Sequence, residues 1–488
     1  MKTVLFYPRI ENSFRSSYAP LGILSIATYL NANGHNAVIW DRFFECDSID
    51  KVLKEHSPDV IGISVISHTF LHDAILISKA AKARDIPVIW GGSFATTIDK
   101  VILDSGLADF VSRNEGEVTW LKIAENFDSG KDFFDIDGLS YIKDGQYVRN
   151  PDRDFVDLES LPELDWSLID PKRYFQKTYG FNRMISMYFS KGCPGRCTYC
   201  YNPGFHHSTR RCRNPETVFN EMNTLVKKYG ADGFDFTDDV LFSCRQDAVD
   251  FCKELAKRNM NICWSGYLRV GILNSLEDFQ MLYKSGCRSL IFGIESGSPR
   301  ILKSVNKHVL LDKVKNNIEF CSKSGIVPVA MFIIGLPDED EEDIKMSLDL
   351  ARSLDKAAVV YNFFTPIPGS ELYNKLVASG ELTHITDIYE YAKIQDLEKL
   401  FDNYTHVPTK ELLIIKKYAR LRGIITPTDN SGGEQIGKVI MSAVKSWCGR
   451  GILHFFRGAL YTAFNILTLF TIFFHPKIIK KYSLYFFK

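Results

Sequence analysis

The chain opens with short apolar runs that alternate with longer amphipathic segments. Five runs rich in branched and aromatic side chains predict β-strands at residues 4–7, 36–40, 60–65, 88–90 and 110–111. Apolar positions three and four residues apart predict helices at residues 21–33, 49–55, 71–84, 96–103 and 117–126. Strands that are each followed by a helix are typical of a doubly wound parallel sheet, so we expect an α/β domain over residues 1–128. Its ligand should bind at the carboxyl ends of the strands.

The same alternation returns between residues 181 and 400. Apolar runs predict strands at residues 184–189, 233–236, 262–266, 289–293, 327–334 and 358–363, with helices such as 215–229 and 246–258 between them. Six strand–helix pairs are fewer than the eight of a closed barrel, so the pattern predicts a partial (β/α)6 barrel. In barrel folds the active site gathers at the C-terminal ends of the strands.

Residues 129–180 join these two domains. Asp144-Gly145 predicts a hairpin turn between short strands at residues 140–142 and 147–148. Residues 157–166 are acidic, contain Pro162 and have no clear period. We therefore expect an ordered strap here, without chemistry of its own.

The last region, residues 401–488, differs in charge from the rest of the chain. No acidic residue follows Glu434, whereas eight lysines and arginines do, and residues 458–474 are uncharged and rich in Leu, Ile and Phe. As a helix this apolar stretch would reach roughly 26 Å, which is short of the roughly 30 Å hydrocarbon core of a bilayer. We expect a helical tail that lies in the interface of an anionic membrane. The alternative is a helical hairpin packed against the barrel.

Composition sets few further limits. The 488 residues exceed one typical core, and 45% hydrophobic and 24% charged residues are ordinary for a globular protein. Lys plus Arg equals Asp plus Glu at 59 each, which gives no argument for nucleic acid binding. The chain begins directly with a strand and not with a signal peptide pattern, so we expect a cytoplasmic protein with reduced thiols. The basic tail would place it at the inner face of the membrane.

The candidate chemistry lies in one loop, where Cys193, Cys197 and Cys200 are spaced CxxxCxxC among Gly and Pro residues. A 4Fe-4S cluster and a structural zinc ion are both normally held by four protein ligands. Three thiolates on one loop leave one iron of a cluster open to a small molecule. The alternative is a zinc knuckle with Cys212 as the fourth ligand.

This loop, with Tyr199 just before the last cysteine, resembles that of the radical S-adenosylmethionine (SAM) enzymes. The resemblance implies a 4Fe-4S cluster on the three cysteines and SAM chelated to the open iron. It also implies that an electron from the cluster cleaves SAM to give the 5′-deoxyadenosyl radical. No catalytic residue of the protein itself is assigned.

The resemblance extends to residues just past the predicted barrel strands, where the family binds SAM. The candidates for SAM binding are Tyr199, Asp238, Asp239, Arg269, Glu295 and Gly335. The chain has Thr237-Asp238-Asp239 where many members have Gly-Gly-Glu. Structural alternatives exist: Asp239 would cap the following helix, and Arg269 would pair with Glu295.

The first domain resembles the cobalamin-binding domains of the cobalamin-associated branch, which have a flavodoxin-like sheet. The candidates that would line the slot for the cofactor's nucleotide tail are Ser64, Ile66, Gly91 and Gly92. The DxHxxG loop that supplies an axial histidine in cobalamin mutases is missing after the first strand, and we expect His68 and His72 to be helix-start or surface residues. The alternative is a domain that has lost cobalamin or binds another nucleotide.

The resemblance implies a cobalamin-dependent radical SAM methyltransferase that acts on an unactivated carbon of a hydrophobic or natural-product substrate. A ring-forming or oxidative enzyme of the anaerobic magnesium-protoporphyrin monomethyl ester cyclase type has the same layout. A third alternative is a metal or cobalamin binding protein without catalysis. The expected partners are a small, lipid-like substrate and a flavodoxin- or ferredoxin-type reductant.

Overall fold

The computed structural model describes residues 1–10, 18–45, 47–178, 181–393 and 403–415. The chain packs into two compact units. The first contains Met1–Ser243, Val249–Gly266 and the segment from Pro366, and the second contains Cys244–Ala248, Tyr267–Thr365 and residues 403–415.

The first unit begins with a seven-stranded sheet in the order β2-β1-β3-β4-β5-β6-β7. Its strands are β1 Lys2–Tyr7, β2 Asn36–Asp41, β3 Val60–Ser64, β4 Val88–Gly91, β5 Phe110–Ser112, β6 Leu139–Lys143 and β7 Gln146–Arg149. Strands β1 to β5 pair in parallel. The order 2-1-3-4-5 is that of flavodoxin-like folds, so the predicted fold of the first domain is confirmed.

The helices between these strands are α1 Leu21–Ala32, α2 Ile49–His56, α3 Leu71–Lys82, α4 Ser93–Thr97, α5 Asp99–Asp104 and α6 Glu117–Asp128. The central strands β1, β3 and β4 are buried along almost their whole length. A parallel sheet that is covered by helices on both faces needs such continuous apolar strands, which is why the hydrophobic runs located them.

One predicted helix, over residues 96–103, is two helices in the structure. The break falls at Ile98, whose φ of −125° is not helical. Just before it, the Thr96 hydroxyl donates to the Gly92 carbonyl and the Thr97 hydroxyl donates to the Phe94 carbonyl. Threonine side chains that bond to nearby backbone compete with the helix ladder, so the chain turns here.

The predicted hairpin around Asp144-Gly145 is confirmed, and it belongs to the first sheet. Strand β6 pairs antiparallel with β5 and with β7. The buried Arg113 fixes this addition, because its guanidinium donates to the Ser140 hydroxyl at 2.6 Å and to Asp152 at 2.8 Å. Residues 139–149 of the expected strap are therefore part of the sheet.

The rest of the first unit carries the first strands of the barrel. Strands β9 Phe181–Met187, β12 Gly233–Phe236 and β13 Cys263–Tyr267 pair in parallel, and β8 Gln176–Thr178 adds an antiparallel edge to β9. A short antiparallel pair, β10 Ser190–Lys191 and β11 Arg211–Cys212, brackets the cysteine loop. The helices are α7 Asn202–Phe205, α8 Pro215–Thr224 with a π-helical turn at Leu225–Tyr229, α9 Arg245–Lys257, α14 Glu371–Ser379 and α15 Ile388–Lys393.

The second unit contains the remaining barrel strands, β14 Cys287–Glu295, β15 Val327–Ile334 and β16 Ala358–Phe363, which pair in parallel. Its helices are α10 Leu276–Lys284, α11 Pro299–Ser304, α12 Leu311–Lys323 and α13 Glu341–Ser353. All six predicted strands of the partial (β/α)6 barrel are present, so that fold class is confirmed. Val407, Leu412 and Ile415 pack against α13 and the end of β15.

The predicted membrane-binding stretch, residues 458–474, lies outside the described residues. Within the described part of the chain, no helix has the length and apolar character needed to cross a bilayer.

Candidate active site

The three cysteines lie on a loop that we call the cysteine hairpin, residues 190–212, because β10 and β11 pair at its base. It follows the C-terminal end of β9, as predicted. Asp238, just past β12, accepts hydrogen bonds from the Phe189 N–H at 3.0 Å and from both the backbone N–H and the hydroxyl of Ser190. Burial raises the pKa of Asp238 to about 6, although these donors lower it. Asp238 thus fixes the start of the hairpin to the barrel.

The hairpin turns tightly at Gly192. This residue adopts a φ of +86°, and an ideal Cβ placed on it would lie 2.1 Å from the Thr209 carbonyl oxygen. No L side chain fits there, because the left-handed region and the contact both exclude a Cβ. Glycine at this position lets the chain fold back so that β10 meets β11.

Backbone N–H groups donate to two of the three sulfurs. The Gly195 N–H donates to Cys193 Sγ at 3.3 Å, and the Asn202 N–H donates to Cys200 Sγ at 3.4 Å. An ideal Cβ on Gly195 would lie 3.3 Å from Cys193 Sγ and 3.8 Å from Cys197 Sγ, so both sulfurs lie close to the same point. Hydrogen bonds to cluster sulfurs tune the reduction potential of an iron–sulfur cluster. This donor set fits a 4Fe-4S cluster.

The zinc alternative would need Cys212 as a fourth ligand beside the three cysteines of the hairpin. A zinc ion needs four ligands that converge at about 2.0–2.3 Å. No group of three or more His, Cys, Asp or Glu side chains among the described residues converges in this way. Cys212 lies in β11, opposite Ser190 at the base of the hairpin. A cubane cluster differs from zinc in this respect, because each thiolate binds a different iron.

Asp239 also contacts the cysteine hairpin. Its carboxylate accepts the Tyr201 O–H at 2.9 Å and the Gly192 N–H at 3.2 Å. Helix α9 begins only at Arg245, so Asp239 is not its N-cap. Burial raises the pKa values of Asp239 and of the Tyr201 phenol. Tyr199 is half-buried beside the cysteines.

A cavity of about 310 Å³ lies between the first sheet and the cysteine hairpin. One wall consists of strand ends and following loops of the first sheet, including Ser64, Ile66, Gly91, Gly92 and Ser112. The opposite wall consists of barrel residues, including Tyr188, Lys191, Tyr201, His206 and Asp239. All four residues predicted to bind cobalamin therefore line one cavity, which is also lined by residues of the cysteine hairpin.

Gly92 shows how closely backbone packs at this wall. Its φ is +100°, and an ideal Cβ would lie 2.7 Å from the Val65 carbonyl oxygen. The Ser93 hydroxyl bonds the Ile66 carbonyl, which joins the loops after β3 and β4. A wall built of glycine and backbone lets a large planar ligand approach closely, so these residues fit a cobalamin tail.

Three histidines lie near the loops that follow strands. His68 opens a 3-10 helix at His68–Phe70 and His72 lies in α3, and neither lines the cavity. His206, after α7, does line it. Burial, together with Arg211 and Lys191, lowers the pKa of His206 to about 3, so it is neutral at physiological pH.

Four side chains of charged residue types form a network beside the cavity, and we call them the charge cluster: Glu115, Glu117, Lys191 and Arg211. Three of them, Glu115, Glu117 and Lys191, line the cavity. The Lys191 ammonium lies 2.9 Å from Glu117 Oε1 and 3.7 Å from Glu115 Oε1. Arg211 donates to both oxygens of Glu115, at 2.6 and 3.1 Å. Burial alone would raise the pKa of Glu117, but Lys191 and the Ser25 hydroxyl hold it below the usual range. Sequence patterns did not single out this cluster.

The second unit holds the other three residues predicted to bind SAM. Glu295 ends β14 in the left-handed region, with a φ of +67°, and its carboxylate lies 3.0 Å from Lys307 Nζ. The cation on Glu295 is therefore Lys307 and not Arg269, which is half-buried after β13. The Gly335 N–H donates to Glu339 Oε2 at 2.7 Å.

Glu339 is fully buried, and its carboxylate also accepts the Leu336 N–H at 3.1 Å. Its other oxygen, Oε1, has no hydrogen-bond partner among the described residues. Burial raises its pKa to about 8, against the effect of the two backbone donors. Glu339 shapes the turn after β15, and no sequence pattern indicated it.

Two family models match the chain. Residues 10–124 match the B12 binding domain, and residues 187–351 match the radical SAM superfamily. The chain belongs to the B12-binding radical SAM enzymes. Residues from both matched ranges line the cavity.

Relatives of this radical SAM enzyme carry several names. It is 27% identical over 393 residues to an uncharacterized methyltransferase of Pyrococcus horikoshii, an alignment that covers 78% of this chain and 84% of the relative. It is 25% identical to the anaerobic magnesium-protoporphyrin IX monomethyl ester cyclase of Rubrivivax gelatinosus, over 82% of this chain and 74% of the relative.

The enzyme also resembles a solved structure, the radical SAM methyltransferase TsrM of Kitasatospora setae with cobalamin and a 4Fe-4S cluster bound. The TM-score is 0.65 at 18% identity, over 78% of this chain and 75% of the other. At this identity the likeness establishes the shared fold. Glu115 lies in the loop after β5 and Glu117 begins α6, and their partners lie far away along the chain.

Proposed function

We propose that this enzyme is a cobalamin-dependent radical SAM methyltransferase that methylates an unactivated carbon. One observation carries the proposal: a single cavity is lined by the strand ends of the B12-binding domain and by the hairpin that bears the three cysteines. Reactions that need two cofactors require both reaction centres within reach of one substrate. The cavity brings the proposed cobalamin wall and the cysteine hairpin together, which supports the proposal.

Different residues of the chain would hold the cluster and SAM. Cys193, Cys197 and Cys200 would hold the cluster, with Asp238 and Gly192 fixing the hairpin that presents them. When bound, the reduced cluster and SAM would supply the radical that removes a hydrogen atom from the substrate, and cobalamin would supply the methyl group. We assign SAM binding to Tyr199, Asp239, Arg269, Glu295 and Gly335 as a proposal, and for Asp238 we favour the positioning role.

Cobalamin would lie along the wall formed by Ser64, Ile66, Gly91 and Gly92. Among the cavity-lining residues from the first sheet and its loops there is no His, Cys or Met side chain. We therefore propose that none of these residues binds cobalt from that side.

The cyclase alternative rests on the Rubrivivax gelatinosus relative, which has a similar share of identical residues. Products distinguish the two reactions. Methyl transfer consumes one SAM to provide the methyl group and a second to provide the radical, so it yields S-adenosylhomocysteine together with 5′-deoxyadenosine. Ring formation by a radical uses SAM only as the source of the radical, so it yields 5′-deoxyadenosine without S-adenosylhomocysteine.

The experiment that tests the proposal is anaerobic reconstitution with iron, sulfide and hydroxocobalamin, followed by incubation with SAM and a strong reductant. We expect mass spectrometry to detect both S-adenosylhomocysteine and 5′-deoxyadenosine. The appearance of 5′-deoxyadenosine alone, with cobalamin retained, would favour the cyclase. Failure to retain cobalamin after desalting would remove methyl transfer from cobalt.

Sequence features suggest the partners. We propose a small hydrophobic, lipid-like substrate, because the basic and aromatic sequence of residues 434–488 is that of a segment that binds anionic membranes. We also propose a flavodoxin- or ferredoxin-type protein as the reductant. Binding of the full chain to vesicles with and without anionic lipid tests the membrane association on which the substrate proposal rests.

A further inference from the structure

The cysteine hairpin is closed by a cross-strand pair of like charges. Lys191 and Arg211 stand directly opposite each other in the β10–β11 ladder. Like charges directly opposite each other in an antiparallel pair destabilise it. The hairpin therefore needs carboxylates from elsewhere to close.

The B12-binding domain supplies these carboxylates. Glu117 opens α6 and Glu115 lies two residues before it, in the loop after β5. Glu117 faces Lys191, and Glu115 accepts two hydrogen bonds from Arg211. The four formal charges cancel. The side chains of Glu117 and Glu115 are only 3% and 7% exposed, so solvent screens the cluster weakly.

Two residues of the strap, Phe155 and Val156, also contact the charge cluster. The Val156 N–H donates to Glu115 Oε2 at 3.1 Å, and Arg211 Nη1 donates to the Val156 carbonyl at 3.0 Å. The Phe155 ring packs on the Arg211 guanidinium, with 4.2 Å between the guanidinium carbon and the ring centroid. Glu115 and Arg211 are thereby held in one geometry.

A buried ion pair is a poor source of stability, because desolvation offsets most of the attraction. Removing one partner is costly, however, because it leaves a buried charge without compensation. Such a cluster therefore specifies geometry. Here it fixes the ladder that closes the loop carrying Cys193, Cys197 and Cys200.

We propose that Glu115 and Glu117 of the B12-binding domain are positioning residues of the iron–sulfur site, which act through Lys191 and Arg211. The inference rests on the proposed function, since it assumes a cluster on the three cysteines. It adds that the cobalamin-binding domain determines how firmly the cluster is held. The two carboxylates contact neither the cysteines nor the reacting atoms.

The test compares Glu117→Gln with Glu125→Gln in the reconstituted full chain. Glu125 lies on the same helix and pairs with Lys122 at 2.7 Å, but its side chain is 46% exposed. The measurement is the rate at which an iron chelator removes the cluster under anaerobic conditions. We expect Glu117→Gln to lose its cluster about tenfold faster than wild type, because Lys191, whose side chain is 20% exposed, loses its partner at 2.9 Å and keeps only Glu115 at 3.7 Å. Glu125→Gln should behave as wild type.

A second variant separates positioning from general destabilisation. Glu117→Gln/Lys191→Met removes both charges and relieves the opposition of Lys191 and Arg211, so cluster retention should recover towards the wild-type rate. Electron paramagnetic resonance of the reduced cluster with SAM should show altered g-values in Glu117→Gln. If Glu117→Gln does not fold, the double variant and Glu115→Gln provide the comparison.

The proposal is overturned if Glu117→Gln keeps the wild-type rate and spectrum, or if the double variant loses its cluster as fast as the single variant. Failure of the wild-type protein to hold a cluster at all would instead overturn the proposed function. The two failures are therefore distinguishable.

Discussion

Asp238 receives two hydrogen bonds from Ser190, one from its backbone N–H and one from its hydroxyl. A third comes from the Phe189 N–H. The carboxylate of one barrel loop thus fixes the residue at which the cysteine hairpin begins. Because an amide presents only one acceptor oxygen, Asp238→Asn turns an NH2 group towards one of these donors.

We expect Asp238→Asn to lower the free energy of unfolding by about 1–3 kcal/mol, the cost of a buried donor left without an acceptor. It should also lower the iron bound per chain after reconstitution. Asp235→Asn is the matched control, since Asp235 lies three residues earlier, in β12, and receives a hydrogen bond from the Ser265 hydroxyl. Equal iron content in the two variants would contradict the positioning role of Asp238.

Gly91 and Gly92 should respond differently to alanine. Gly92→Ala places a Cβ 2.7 Å from the Val65 carbonyl oxygen at a φ of +100°, which should destabilise the domain by at least about 1 kcal/mol. At Gly91 the nearest atom to such a Cβ is 3.4 Å away, so the fold should tolerate the methyl group.

The Gly91→Ala variant also tests whether cobalamin binds along the wall that contains Gly91. Because Gly91 lines the cavity, Gly91→Ala should weaken cobalamin retention while the melting temperature stays near that of wild type. Absorbance of cobalamin after desalting and thermal unfolding measure the two effects. Full retention of cobalamin by Gly91→Ala would show that the cofactor does not approach this wall.

Glu339 gives the protein a specific dependence on pH. Its pKa is raised from 4.5 to about 8 by burial, so between these values the folded state holds a proton that the unfolded state has lost. Stability contributed by neutral Glu339 therefore falls as pH rises through this window, and it changes no further above the folded pKa.

Glu339→Gln removes this titration and keeps an acceptor for the Gly335 and Leu336 N–H groups. The free energy of unfolding of Glu339→Gln, minus that of wild type, should rise by up to about 1.4 kcal/mol per pH unit. This rise should occur between pH 4.5 and about pH 8. Denaturant unfolding of both proteins at several pH values measures the difference. Parallel stability profiles would mean that the Glu339 pKa is not raised.

Hydrophobic patterning could predict the strands, because parallel strands buried on both faces are continuous apolar runs. The ends of those strands then indicated Ser64, Gly91 and Gly92, which do line one cavity. Local hydrogen bonds of polar side chains could not be predicted from the hydrophobic pattern. The break at Ile98 depends on threonine hydroxyls that bond to backbone, and a periodic pattern does not register them.

The charge cluster could not be predicted from the sequence. Glu117 and Lys191 are 74 positions apart, and each alone resembles an ordinary surface charge. Only the packing of the hairpin against the first domain makes them partners. The same holds for Asp238, whose position after a barrel strand indicated a ligand contact, whereas its hydrogen bonds go to the cysteine hairpin.

The most direct test of the central claim is the formation of 5′-deoxyadenosine by the anaerobically reconstituted protein and by its Cys197→Ala variant, with retained cobalamin measured in both. We expect 5′-deoxyadenosine from the wild-type protein, none from Cys197→Ala, and cobalamin retained by both proteins. Absence of 5′-deoxyadenosine from the wild-type protein, with zinc in the purified chain, would contradict it.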